Sequence, residues 1–157
     1  MIRPRALMLA AVGVPLAAVA AALVSQYVFD MQPCPWCVLQ RLLFVVMALV
    51  ALPGLLVNQT GVRRASAATV LTLAICGVAA ALWQHFVAAS STSCNLTLAD
   101  RIIGGLKLDE VAPQVFAAYA SCADAAVNMA GVPYAFWSLA VFAAMGLVAV
   151  AVWRRPG

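Results

Sequence analysis

"DMQPCPWCVLQRLL" (residues 30–43) places two cysteines, Cys34 and Cys37, around Pro35-Trp36, with one arginine, Arg41, a helical turn beyond the second. A CxxC with an internal proline usually marks thiol–disulfide chemistry in a soluble redox domain. Here it runs straight into an apolar stretch that a soluble fold would not expose. The residues around the motif therefore decide what kind of protein carries it.

Of 157 residues, 66% are hydrophobic and only 9% charged, with a mean hydropathy of +1.04. That composition is too poor in charge for a soluble domain and reads as an integral membrane protein. The net charge of +4 does not point to nucleic acid, because the basic residues occur as isolated pairs beside apolar runs, with no stripe or aromatic interleaving. A bilayer core takes roughly 20 helical residues. Apolar runs at about 6–29, 38–57, 67–88 and 134–153 thus predict four transmembrane helices in one domain, residues 1–157. The first run, preceded by Arg3 and Arg5, is longer than the apolar core of a cleaved secretory signal and is read as a retained helix.

The charges orient the bundle. Arg3, Arg5, Arg63, Arg64, Arg154 and Arg155 flank one set of span ends, which the positive-inside rule assigns to the cytoplasm together with both termini. Asp30, Asp100, Asp109, Glu110 and Asp124 fall on the other side, and so do Cys34, Cys37, Cys94 and Cys122. Disulfide chemistry belongs on an oxidising, external face, so the two patterns agree independently. The outer connections are 30–37 and the long 89–133. Within the latter, "LADRIIGGLKLDEVAPQVFAAYA" (98–120) predicts one or two short amphipathic helices lying on the membrane surface. The fold class is an all-α four-helix membrane bundle with one long periplasmic loop.

Five cysteines suggest two pairs and a bystander. Cys76, inside the third span, is ordinary packing. At the start of a helix the unsatisfied N–H groups favour a thiolate, and Arg41 shares a face with Cys37 at i, i+4. Taken alone, Arg41 reads as a basic residue snorkelling to the headgroups. Taken alone, a Cys94–Cys122 link reads as a staple worth roughly 3–4 kcal/mol. Four thiolates also invite a zinc site, but Cys94 and Cys122 lack the second close pair of a zinc ribbon, and no metal is assigned. A dithiol beside an arginine, with two more cysteines on the same surface, favours redox chemistry over any of these. His85, in "WQHF" (83–86), reads first as an interfacial histidine beside Trp83. Tyr134 and Trp137 read as belt anchors, and Gln84 is left unassigned.

The ordered set of "CPWCVLQR", "WQHF", "STSCNL" and "APQVFAAYASC" within four spans resembles the disulfide bond formation protein B (DsbB) family over nearly the whole chain. The resemblance implies a bacterial inner-membrane protein-dithiol:quinone oxidoreductase. It would reoxidise a periplasmic DsbA-like, thioredoxin-fold partner and pass the electrons to ubiquinone or menaquinone. It implies that Cys94 takes the partner's thiolate, that Cys122 is paired with Cys94 and exchanges with Cys34, and that Cys37 faces the quinone beside Arg41. It also raises a quinone-side role for His85. Two other readings are a vitamin K epoxide reductase-like enzyme, in which the CxxC would lie late in a helix instead of opening one, and a membrane protein whose external cysteines handle metal.

Overall fold

A computed structural model describes residues 4–90 and 96–155. Among the described residues, four helices are long and apolar enough to cross a membrane: α1 (Pro4–Val28), α2 (Pro35–Leu56), α3 (Thr60–Phe86) and α7 (Tyr134–Arg154). Among the described residues of the long connection, three short α-helices form: α4 (Leu98–Gly105), α5 (Leu108–Val111) and α6 (Pro113–Phe116). The chain is thus an all-α, multi-pass membrane bundle. In the ring of long helices α1 touches α2, α2 touches α3, α3 touches α7, and α7 returns to α1.

Local chemistry explains the ends of these helices. Pro35 occupies the first position of α2, where a missing N–H costs nothing, and Cys34 is the N-cap with extended backbone. The helix therefore starts at the motif and not below it. At α4, Thr97 and Asp100 form a reciprocal capping box: Thr97 Oγ1 accepts from the Asp100 N–H at 3.2 Å, and Asp100 Oδ2 accepts from the Thr97 N–H at 2.8 Å. The segment 98–120, read as one or two helices, breaks into three because Lys107 adopts a left-handed φ of 54° and Pro113 begins a new turn. Between α6 and α7, Asn128–Met129 and Val132–Pro133 pair antiparallel as β1 and β2. The Ala130-Gly131 turn between them has φ of 53° and 80°, the left-handed geometry that a two-residue hairpin demands.

Inside the ring, Phe44 of α2 stacks on Phe142 of α7, with centroids 4.2 Å apart and planes 11° from parallel. Met8, Met47, Val70 and Met145 close around them. Helices in lipid gain little from hydrophobic transfer and associate by close packing over small residues. Gly77 of α3 is where this matters most, since a Cβ there would run into the Phe142 ring.

Replacing Gly77 with alanine should therefore overpack the stack and destabilise the protein by about 1–3 kcal/mol. Gly13→Ala, with nothing within 4 Å of the added carbon, serves as the control. Thermal unfolding in detergent should show a lowered midpoint for Gly77→Ala only, and equal midpoints would refute this account of the α3–α7 contact.

Candidate functional site

The first turn of α2 brings sulfurs together through ordinary helix-capping geometry. Cys34 at the N-cap and Cys37 three residues on stand in the relation that lets an N-cap side chain accept from the third N–H of the helix. The Cys37 N–H accordingly donates to Cys34 Sγ at 3.3 Å, and the two sulfurs lie 2.8 Å apart as a hydrogen-bonded thiol pair. Cys34 is fully buried, whereas Cys37 is only partly so.

The long connection delivers a third sulfur. Backbone N–H groups of Tyr119 and Ala120 both donate to the Pro33 carbonyl, at 3.0 and 3.2 Å, strapping the loop beside the residue that precedes Cys34. Cys122 thereby enters the same buried cluster as Cys34 and Trp36. Its sulfur faces Cys34 and the Trp36 backbone N–H. Hydrogen bonding to Cys122, then to Cys37, and then burial push the Cys34 thiol far above the usual thiol range. The same bond from Cys34, aided by the Trp36 N–H, pulls Cys122 down, although burial opposes it. Of the two, Cys122 is the one disposed to be a thiolate.

Arg41 lies one turn below Cys37 and is buried, 4% exposed. Its Nη1 donates to Gln26 Oε1 at 2.7 Å and to the Val115 carbonyl at 3.0 Å, and its Nη2 donates to the Ala22 carbonyl at 3.2 Å. These three partners are neutral oxygens, so the guanidinium is held in place without its charge being cancelled. Beside it opens a cavity of about 720 Å³ between α1, α2 and α7. Cys37, Gln40 and Arg41 form part of its polar lining, while Ala18, Phe44 and Val141 are among its apolar wall residues. A mostly apolar space of that size with a few convergent polar groups suits a small aromatic or quinonoid head group.

The structure thus assembles Cys34, Cys37, Arg41 and Cys122. Cys94 lies outside the described residues. His85 packs against Phe86 and Phe136, with ring centroids 4.8 and 4.7 Å away, and is not among the residues lining the cavity. Its neighbour Gln84 turns to α2 instead, where Nε2 donates to Cys37 Sγ at 3.1 Å and Oε1 accepts from Gln40 Nε2 at 2.6 Å. Tyr134 and Trp137, read as belt anchors, both line the cavity. Tyr134 also shares a 3.1 Å hydrogen bond with Ser25. The signal for the glutamines was in the sequence: an uncharged polar side chain inside an apolar span needs a partner.

The family model for disulfide bond formation protein DsbB matches residues 4–152. The chain belongs to the DsbB family. Among similar proteins, disulfide bond formation protein B 1 of Pseudomonas syringae pv. syringae is 33% identical over 130 residues, covering 81% of this chain and 76% of the relative. Disulfide bond formation protein B of Burkholderia pseudomallei is 31% identical over 158 residues, covering 99% and 93%. That of Aromatoleum aromaticum is 30% identical over 135 residues, covering 83% and 80%. Membership in the DsbB family makes this a membrane protein of disulfide-bond formation, and the sulfur cluster at the head of α2 is the part of the fold equipped for that chemistry.

The opposed shifts of Cys34 and Cys122 can be measured. As pH rises, Cys122 should become a thiolate first, with an alkylation midpoint below the roughly 8.5 of a free cysteine, and Cys34 should follow only above it. Mass spectrometry of the two peptides from reduced protein, alkylated across a pH series, reads both midpoints. Coincident midpoints would contradict the hydrogen-bond pattern described.

Proposed function

We propose that the protein is a protein-dithiol:quinone oxidoreductase of the bacterial inner membrane, which reoxidises a DsbA-like periplasmic oxidase. The observation that carries this reading is the position of Cys34, hydrogen-bonded to Cys37 on one side and packed in one buried cluster with Cys122 on the other, while Cys37 and Arg41 border the cavity. Such a cluster can pass a disulfide from loop to helix without large movement.

The oxidised protein holds Cys94–Cys122 and Cys34–Cys37 disulfides. A partner thiolate attacks Cys94, forming a mixed disulfide and releasing Cys122 as a thiolate. Cys122 attacks Cys34, forming Cys34–Cys122 and freeing Cys37. The partner's second thiol resolves the mixed disulfide, leaving the partner oxidised and Cys94 reduced. Cys94 then attacks Cys122, which regenerates the loop disulfide and leaves Cys34 and Cys37 as the dithiol. When bound, the quinone supplies the acceptor for two electrons and two protons as the Cys34–Cys37 bond re-forms. Arg41 would hold its carbonyl end and, carrying an uncancelled charge in a low-dielectric place, would stabilise negative charge arising there. No step is assigned to His85, which packs against Phe86 and Phe136. The cysteine cluster faces the periplasm, and both termini face the cytoplasm.

The test is anaerobic mixing of purified protein with a reduced DsbA-like partner and ubiquinone or menaquinone, following quinone absorbance. Cys34→Ser, Cys37→Ser, Cys94→Ser and Cys122→Ser should each abolish turnover. Cys76→Ser, on an exposed face of α3, should leave it near normal. Arg41→Ala should raise the KM for quinone by about tenfold or more, the scale of a lost charged hydrogen bond. Turnover in Cys34→Ser would sink the proposed relay, and an unchanged KM in Arg41→Ala would remove that residue's role.

A further inference from the structure

Cys37 has two neighbourhoods. Toward α1 and α7 it borders the cavity with Arg41, and toward α3 it meets a single polar group, the Gln84 side chain. Gln84 is 4% exposed and Gln40 3%, so water does not compete for either amide. Gln84 is not part of the cavity lining, and its amide is therefore directed at the sulfur and not at a bound molecule. A carboxamide has one donor end and one acceptor end. Because Gln40 Nε2 donates to Gln84 Oε1 at 2.6 Å, the NH₂ end of Gln84 is the one turned to Cys37.

We propose that Gln84 is a catalytic residue of the Cys34–Cys37 centre, donating a hydrogen bond that stabilises the Cys37 thiolate of the reduced couple, and that Gln40 is the positioning residue that orients it. A neutral amide stabilises a thiolate in a dry site without the desolvation cost that a second cation would add. Whatever stabilises the reduced form of a dithiol couple makes that couple a stronger oxidant. The pair Gln84–Gln40 thus raises the readiness of the Cys34–Cys37 disulfide to accept electrons from Cys122. This inference rests on the proposed function, in which that disulfide is the acceptor for the loop cysteines.

The experiment uses purified full-length protein under argon, with neither partner nor quinone added. Gln84→Met keeps the volume and removes the donor. It should slow alkylation of Cys37 in the reduced protein by about tenfold, the scale of a charge-assisted hydrogen bond. Against dithiothreitol, the equilibrium of the Cys34–Cys37 couple should shift about tenfold toward the disulfide, equivalent to roughly 30 mV. Gln40→Met leaves the donor but frees its orientation, and should give a smaller shift in the same direction. The double variant should go no further than Gln84→Met alone, because Gln40 acts through Gln84. A merely structural glutamine would lower the thermal midpoint and leave both readouts where they were, and that result overturns the proposal. If Gln84→Met does not fold, Gln40→Met decides: no change in either readout overturns it. Failure of the wild-type protein to reduce added quinone would instead remove the proposed function, because the alkylation and equilibrium measurements do not involve quinone.

Discussion

The unsatisfied N–H groups at the start of α2 are the constraint on which the site depends. Every α-helix leaves its first amides without partners, and where the first turn is buried from water, as at Cys34 and Trp36, they must be met within the protein. In this protein the Cys37 N–H is met by Cys34 Sγ at 3.3 Å, and Cys122 packs against the same turn beside Cys34 and Trp36. The capping of a helix therefore holds Cys34 and Cys37 together, and the loop strapped to Pro33 packs Cys122 against them. Proline at the first position matters for the same reason, because it removes a donor that would otherwise require its own partner.

A second constraint is charge without a counter-charge. Arg41 is buried, and the partners described for it are backbone and amide oxygens. Burying a cation is costly unless it is hydrogen-bonded, and even then the site remains attractive to negative charge. In the proposed function, a thiolate above it and an electron acceptor in the cavity beside it would both answer that attraction. The carbonyl of Val115 also ties Arg41 to the long connection, so the loop that carries Cys122 and the helix that carries Cys37 are fastened through the same guanidinium.

The bundle below supplies rigidity and little else. Phe44, three residues beyond Arg41, stacks on Phe142, which fills the space that Gly77 leaves open. Arg63 and Ser66 are buried at the far end, but most buried polar side chains gather near the sulfurs, where α1, α2, α3 and α7 each contribute uncharged hydrogen-bonding groups: Ser25 and Gln26, Gln40, Gln84, and Tyr134. Among the described residues no buried side-chain nitrogen or oxygen is left without a partner. That is what a functional polar cluster in lipid requires.

What the sequence by itself determined were properties that add up along the chain. Hydropathy located four spans, and the spacing in "CPWCVLQR" put Cys37 and Arg41 on one face of one helix. Such readings need only the helical period and the cost of placing charge in lipid. The meeting of Cys122 with Cys34 was not available from spacing, because it depends on the path of residues 96–133 and on two hydrogen bonds to Pro33. The difference between Gln84 and His85 was likewise a matter for tertiary structure. Adjacent residues on a helix point roughly 100° apart, and only the rotation of α3 against α2 and α7 decides which of the two reaches Cys37. The packing of Gly77 on Phe142 helps to set that rotation, and with it which side chain the sulfur meets.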